Sequence, residues 1–354
     1  MNSSSRVAPP SNLSYLVKAV GLCGLYLGAA LLGLHFASVG ASVSLVWPPT
    51  GIAIAALTLW GLRYWPSIAL GAFIANALTP IPIAAAAGIA VGNTVEALVA
   101  AYWLRRSTRS RPDLDDIRQV RTLVAVAAPG GAICSALIGT ISLWLSGSLD
   151  SGAVPLAIAI WWIGDLLGGL IVAPLFLAWS ASRNPVIDGR GLVELLLLFL
   201  GTALAAEFGL GLFRGESFIG DVNYLYLLFP FVVWAGLRLG ARGATLVTFF
   251  IAVVAVGRTV GGAGPFVNAS STRTLFAFGC YLIAVAVTGL VLAAAVQWER
   301  RQATSALGKS EELRRQALDA ARMGTWHWSV EGNTLTWDDN LRRLYGLEPG
   351  TPIS

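Results

Sequence analysis

The sequence predicts an all-α polytopic membrane protein of about ten transmembrane helices, with eight as the alternative count. Both termini are expected in the cytoplasm, and a charged helix and a short α/β segment follow the last span. Three observations carry this. Of the 354 residues, 56% are hydrophobic and only 12% charged, against about 25% charge in a soluble globular domain. Mean hydropathy is +0.69. Apolar runs near the length of about 20 residues that crosses a bilayer recur along residues 13–298. The lipid bilayer is therefore the first expected partner.

The first run, Leu13–Phe36, exceeds the core of a signal peptide, about 7–15 residues, and reads as a retained span despite the small residues ASVGAS after it. Spans are expected at 13–37, 43–61, 65–79, 82–104, 120–146, 153–180, 191–213, 222–240, 243–260 and 274–298. The third is short and closes on Pro80 and Pro82, so it is expected to be broken or tilted. With the amino terminus inside, the cytoplasmic loops hold thirteen basic residues: Arg6, Lys18, Arg63, Arg105, Arg106, Arg109, Arg111, Arg118, Arg121, Arg183, Arg190, Arg238 and Arg242. The outer loops hold three, Arg214, Arg258 and Arg273. That asymmetry is the positive-inside pattern. It also accounts for the net charge of +5, so no nucleic-acid partner is expected.

A short echo links LWGLRYWPSIALGAF (59–73) and VWAGLRLGARGATLV (233–247), each read as a helix end, a Gly-Leu-Arg turn and a new helix. Both turns face the cytoplasm in this topology, and convergence on a Gly-Arg turn explains them as well as duplication does. Cys23, Cys134 and Cys280 lie in apolar stretches without metal-ligand spacing and read as small packing residues.

Polar groups inside the spans are the candidates for function, because an ionised Asp at a helix centre costs about 2.5–3.5 kcal/mol even on the lenient insertion scale. VWPPTG places Pro48 and Pro49 near an outer end, as a packing kink or as a break that frees carbonyls for a ligand. GIAVGNTVEAL sets Gly88, Gly92 and Glu96 on one helical stripe with Asn93 beside it. The glycines read as close-packing positions; Glu96 is not explained that way. In WWIGDLLGG, Trp161, Asp165, Gly168 and Gly169 share a face. At about 1.5 Å per residue, Trp47, Asn76, Trp161, Trp162, Asp165 and Glu207 fall in the outer half to middle of the bilayer, and Asn93 and Glu96 near or just below the middle. These eight are the candidate ligand-binding residues of a cavity opening outward; polar glue between helices is the other reading.

No catalytic arrangement and no metal site are expected. His35 and His327 are the only histidines, which leaves few ligands for zinc or haem. Phosphate-loop, nucleophile-elbow and HExxH patterns are missing, and the cofactor, if any, is unknown.

After Trp298 the composition changes. Residues 299–322 are rich in Ala, Glu, Arg and Leu and predict a helix leaving the membrane. Ala303, Ala306, Ser310, Leu313, Ala317 and Ala320 form a weak seam at alternating spacings of three and four, suited to a parallel homodimer or to no more than a solvated spacer. GTWHWSV, EGN and TLTW then read as a hairpin, and LRRLYGLEPG as a short helix.

The succession VWPPTGIAIAAL, GLRYWPSIALGAFIAN, GNTVEALVAAYWLRR and WWIGDLLGGLIVAPLFLAW resembles the membrane-associated sensor domain of the first type, the MASE family, over about residues 13–298. The tail ARMGTWHWSVEGNTLTWDDNLRRLYGLEPG looks like the start of a PAS domain. The resemblance implies a sensory module of the bacterial inner membrane that precedes PAS, diguanylate cyclase or histidine kinase output domains. Its partner is a small-molecule or membrane-protein signal of unknown identity. The expected organisation is a cytoplasmic tail (1–12), a sensor domain (13–298), a linker helix (299–322) and a PAS fragment (323–354). A transporter or channel, or a docking platform for a membrane partner, are the alternatives from other classes.

Overall fold

The structure is a computed structural model, and it describes residues 12–35, 46–108, 112–180, 189–211, 224–267, 271–329 and 331–348. Arg6, Arg109, Arg111, Arg183 and Arg214, counted in the loop charge, lie outside them. The chain divides into two compact units, Met1–Gln297 and Trp298–Ser354.

The first unit is helical. α1 is Asn12–His35, α2 Pro48–Trp60, α3 Trp65–Ala77 and α4 Ile83–Ser107. α5 (Ile117–Thr122) runs through a π-helical turn, Leu123–Ala127, into α6 (Ala128–Leu145). α7 (Val154–Leu167) continues through a second π-helical turn, Gly168–Val172, into α8 (Ala173–Ser180). α9 (Gly189–Leu210), α10 (Phe229–Val260) and α11 (Ser271–Ala320) follow. Seven helices among the described residues are long and apolar enough to cross a membrane, and α2 is a shorter apolar helix. Leu192, Leu196, Leu200 and Leu204 form an exposed stripe along α9, a face suited to acyl chains rather than to water.

The expected spans at 222–240 and 243–260 meet inside one helix, α10, yet the backbone reverses within it. Gly240 has φ 64° and ψ −152°, a conformation open essentially to glycine. A Cβ on Gly243 would lie 3.1 Å from the Ala235 carbonyl, which a straight helix would hold about 12 Å away. Gly289 of α11 accordingly lies against Val232 on one limb and Ala244 and Thr248 on the other. The turn therefore sits at Gly240, not at the Gly236-Leu237-Arg238 of the sequence echo. The first echo does turn where expected, at Gly61 (φ 111°) and the 3-10 turn Leu62–Tyr64.

Pro48 and Pro49 open α2 rather than kink it. Proline fits the first turn, where its missing N–H would have no helical partner. Gly88 and Gly92 do pack closely, against Ser142 and against Ser135 and Ile138 of α6.

Basic and aromatic residues gather at one end of this unit. The Tyr15 hydroxyl donates to the Arg63 carbonyl at 3.2 Å, Lys18 lies over the Trp60 ring, and Arg63 lies over Tyr15 and Tyr64. Arg105, at the end of α4, donates to the Thr58 carbonyl at 2.8 Å and so satisfies one of the last acceptors of α2.

In the second unit, β1 (Trp326–Ser329) pairs antiparallel with β2 (Thr334–Trp337), Trp326 opposite Trp337. α12 (Asp339–Leu344) is capped by Asp338, whose carboxylate accepts from Leu341 N at 2.8 Å and from Thr325 N at 2.8 Å. The hairpin stands where the alternating pattern places it, while the short helix expected on LRRLYGLEPG starts two residues earlier and ends at Leu344.

Candidate functional site

Three close backbone approaches bring α2 against α7. Trp47 N donates to the Gly164 carbonyl at 3.0 Å. A Cβ on Gly168 would stand 2.1 Å from the Trp47 carbonyl, and one on Gly51 would stand 2.4 Å from the Gly168 carbonyl. Gly139 makes room on α6 for the Trp161 ring, and Gly131 for Glu96. Small residues thus let α2, α4, α6 and α7 meet at one level of the bundle.

Three side chains converge there. Thr50 Oγ1 lies 3.1 Å from Glu96 Oε2 and 3.2 Å from Asp165 Oδ1. Thr50, Glu96 and Asp165 are 3%, 1% and 1% exposed, so this is an interior cluster. Glu96 Oε1 and Asp165 Oδ2 have no hydrogen-bond partner among the described residues. Beside the acids a neutral chain runs from α6 to α1: Ser135 Oγ donates to Asn93 Oδ1 at 2.9 Å, and Asn93 Nδ2 donates to the buried Tyr26 hydroxyl at 3.0 Å.

A narrow cavity of about 40 Å³ reaches the cluster, lined by Trp47, Asn76, Asn93, Trp161 and Asp165 of the expected set. It continues past Leu34, Thr79, Ile81 and Leu143, at the helix ends opposite Lys18, Arg63 and Arg105. The space suits a few waters or a small ion, since one water needs about 10–15 Å³. Asn76 contributes its rim and donates to the Ala72 carbonyl at 2.8 Å.

Glu96 joins this site through Thr50 rather than by lining the cavity. Trp162 and Glu207 stand apart. The Trp162 indole, about 100° around the helix from Trp161, donates to the Pro129 carbonyl at 3.1 Å. Glu207 belongs to α9, which packs on α10 and on the 3-10 turn Leu225–Leu228. Depth alone grouped these residues; it carries no azimuth.

Thr50, Ser135 and Tyr26 do not stand out in the sequence. Hydroxyls in apolar helices commonly bond back to a carbonyl one turn earlier, as Thr58 does to Ile54 and Thr94 to Ala90. Thr50 lies in the first turn of α2, where no helical carbonyl precedes it, and its place after Pro48-Pro49 is the signal that could have found it.

Among known proteins, a family model described as MASE1 matches residues 18–300. The chain is also similar to "Probable diguanylate cyclase DgcE" of Escherichia coli (strain K12), at 25% identity over 357 aligned residues. The match takes in 96% of this chain but 30% of the relative, so the chain spans under a third of that protein's length. No solved structure gives a significant match.

Proposed function

From the premise that this chain belongs to the MASE1 family of membrane-associated sensor domains, we propose that it is the input module of a signal-transduction protein of the bacterial inner membrane, with its signal received at the Asp165 cavity. The observation that carries this reading is a carboxylate 1% exposed in an apolar helix, at the inner end of a cavity that leads to one end of the bundle. A buried intramembrane acid is retained at a cost, and a functional role is its default explanation.

In this reading both termini are cytoplasmic, about ten helical segments lie in the bilayer, and the cavity faces outward. The end rich in Lys18, Arg63 and Arg105 then faces the cytoplasm. Residues 299–322 carry the response to a PAS domain beginning near residue 323 and to an output domain such as a diguanylate cyclase. The similarity to a protein named as a probable diguanylate cyclase supports that output class.

The test is Asp165→Asn in the full-length protein with its output domain, assayed in native membranes. The variant keeps the side-chain shape and removes the charge. It inserts normally and alters output regulation; unchanged regulation across growth conditions that modulate the parent protein would refute the reading.

A further inference from the structure

The buried acids pose a proton-counting problem. No ion pair among the described residues includes Glu96 or Asp165. The titratable groups facing the pair are each other and the Tyr26 phenol of α1; α2 and α6 add the Thr50 and Ser135 hydroxyls, and α7 adds the Trp161 indole N–H. None of these brings a positive charge. Two ionised carboxylates packed together in an apolar interior without one are strongly disfavoured.

Thr50 brings one proton and meets two carboxyl oxygens at hydrogen-bond distance, 3.1 and 3.2 Å. With both acids ionised, only one of those contacts can be a hydrogen bond, and the other sets two bare acceptors face to face. With one proton added, both become hydrogen bonds: the carboxylic acid donates to Thr50 Oγ1, and Thr50 donates to the remaining carboxylate. We propose that Glu96, Thr50 and Asp165 form a proton-binding site, its two carboxyls holding one proton across the Thr50 hydroxyl and exchanging it through the cavity at Asp165. This rests on the sensory reading of the cavity and names its ligand.

The transfer balances. The Glu96 O–H bond breaks as its proton joins Thr50 Oγ1, while the Thr50 proton passes to Asp165 Oδ1. Glu96 is left as the carboxylate and Asp165 as the acid, with the charge of the cluster unchanged. Asp165 lines the cavity and Glu96 does not, so Asp165 is the member that trades the proton with a water there. Release leaves two carboxylates on one hydroxyl, which favours separation of α4 from α7. Proton occupancy is thereby converted into helix packing.

Infrared difference spectroscopy of the protein in lipid nanodiscs tests this, with pH stepped from about 5 to about 9, above the usual carboxylate range near 4. The buffer cation is choline in one series and sodium in the other. The wild type gives the C=O stretch of a protonated carboxyl that disappears as pH rises. That band is missing from the Glu96→Gln/Asp165→Asn double variant, and Thr50→Val moves its midpoint by about one pH unit, a tenfold change in proton affinity. A wild type with no titrating band, or a double variant that keeps it, overturns the proposal, as does a band abolished at constant pH when sodium replaces choline, which would mark a metal-cation site. The wild-type titration stands whether or not the variants fold. Regulation of the output domain is read separately: a titrating band with regulation untouched in the double variant removes the sensory reading and leaves the proton site. Regulation lost in that variant with no band in the wild type does the reverse.

Discussion

Gly168 lies against the Trp47 carbonyl so closely that a Cβ on it would stand 2.1 Å from the oxygen. This contact seats the first turn of α2 on the π-helical turn after α7, and Thr50 reaches Asp165 because of it. Gly168→Ala therefore has to push two backbones apart, at a cost of about 1–3 kcal/mol or more. A thermal melt in detergent is expected to show clear destabilisation. Gly130→Ala, where nothing lies within 4 Å of the new methyl, is the control and melts near the parent protein.

Thr50→Val keeps the side-chain shape and strips the hydroxyl from between two carboxyls. Leaving buried polar atoms without partners costs about 1–3 kcal/mol. Thr58→Val removes only a hydroxyl that bonds the Ile54 carbonyl within its own helix, at 2.6 Å. The first variant is expected to melt lower than the second; equal melting would mean the Thr50 bridge contributes nothing to stability.

The fold-back at Gly240 makes a topological prediction. Reporter fusions after Ser148 and Gly262 are expected to read periplasmic, and fusions after Ser107 and Gly240 cytoplasmic. Opposite-side signals from Gly240 and Gly262 are the decisive pair, because an unbent crossing that continued past Gly240 would not return the chain to the outer side at Gly262.

Acid should loosen the end of the second unit. The Thr325 hydroxyl, 2.6 Å from Asp338 Oδ2, holds the Asp338 carboxyl below its usual range, and the Leu341 and Thr325 N–H groups add to this. A lowered folded-state value means that the contribution is complete above the ordinary Asp value of about 3.9 and is lost as pH falls through the lowered one. Protection of the Leu341 and Thr325 amides, relative to their intrinsic exchange rates at each pH, is expected to hold at neutral pH and to fall only below about pH 4. In Asp338→Asn it should be weaker at neutral pH and lack that acid step.

The linker supplies a prediction about helical phase. Inserting seven residues after Lys309 nearly restores the angle downstream, and inserting two turns it by about 200°. If residues 299–322 relay the signal, the two-residue insertion locks or abolishes regulation in the full-length protein and the seven-residue insertion keeps most of it. Equal, undisturbed regulation in both would make the segment a tether.

Much of this arrangement is legible in the sequence because lipid is a demanding solvent. Long apolar runs, the prolines at 48 and 49, and the alternation in WHWS and TLTW each have one dominant physical explanation. Asp165 and Glu96 stand out for the same reason, being costly where they are. What is not legible is the angle at which each helix faces its neighbours. Glu207 shares a depth with Asp165 and packs elsewhere, while Thr50 reads as an ordinary small residue until the α2 and α7 backbones are known to touch. The turn at Gly240 was blurred too, because Gly236-Leu237-Arg238 carries the same residues as a true turn at Gly61.

Asp165 falls at the midpoint of Ser151–Ser180, a segment of 30 residues. With that segment spanning the bilayer as proposed, a positive charge that travels from the mouth of the cavity to this carboxylate would cross about half its thickness. Membrane potential acts on such a charge with about 2.3 kcal/mol per 100 mV for a full crossing, so about half of that applies here. The apparent affinity at Asp165 would then change about sevenfold for every 100 mV at constant external composition. A proton site at this depth would respond to energisation of the membrane as well as to concentration, and the two can be separated by collapsing the voltage with an ionophore while the external medium is held fixed.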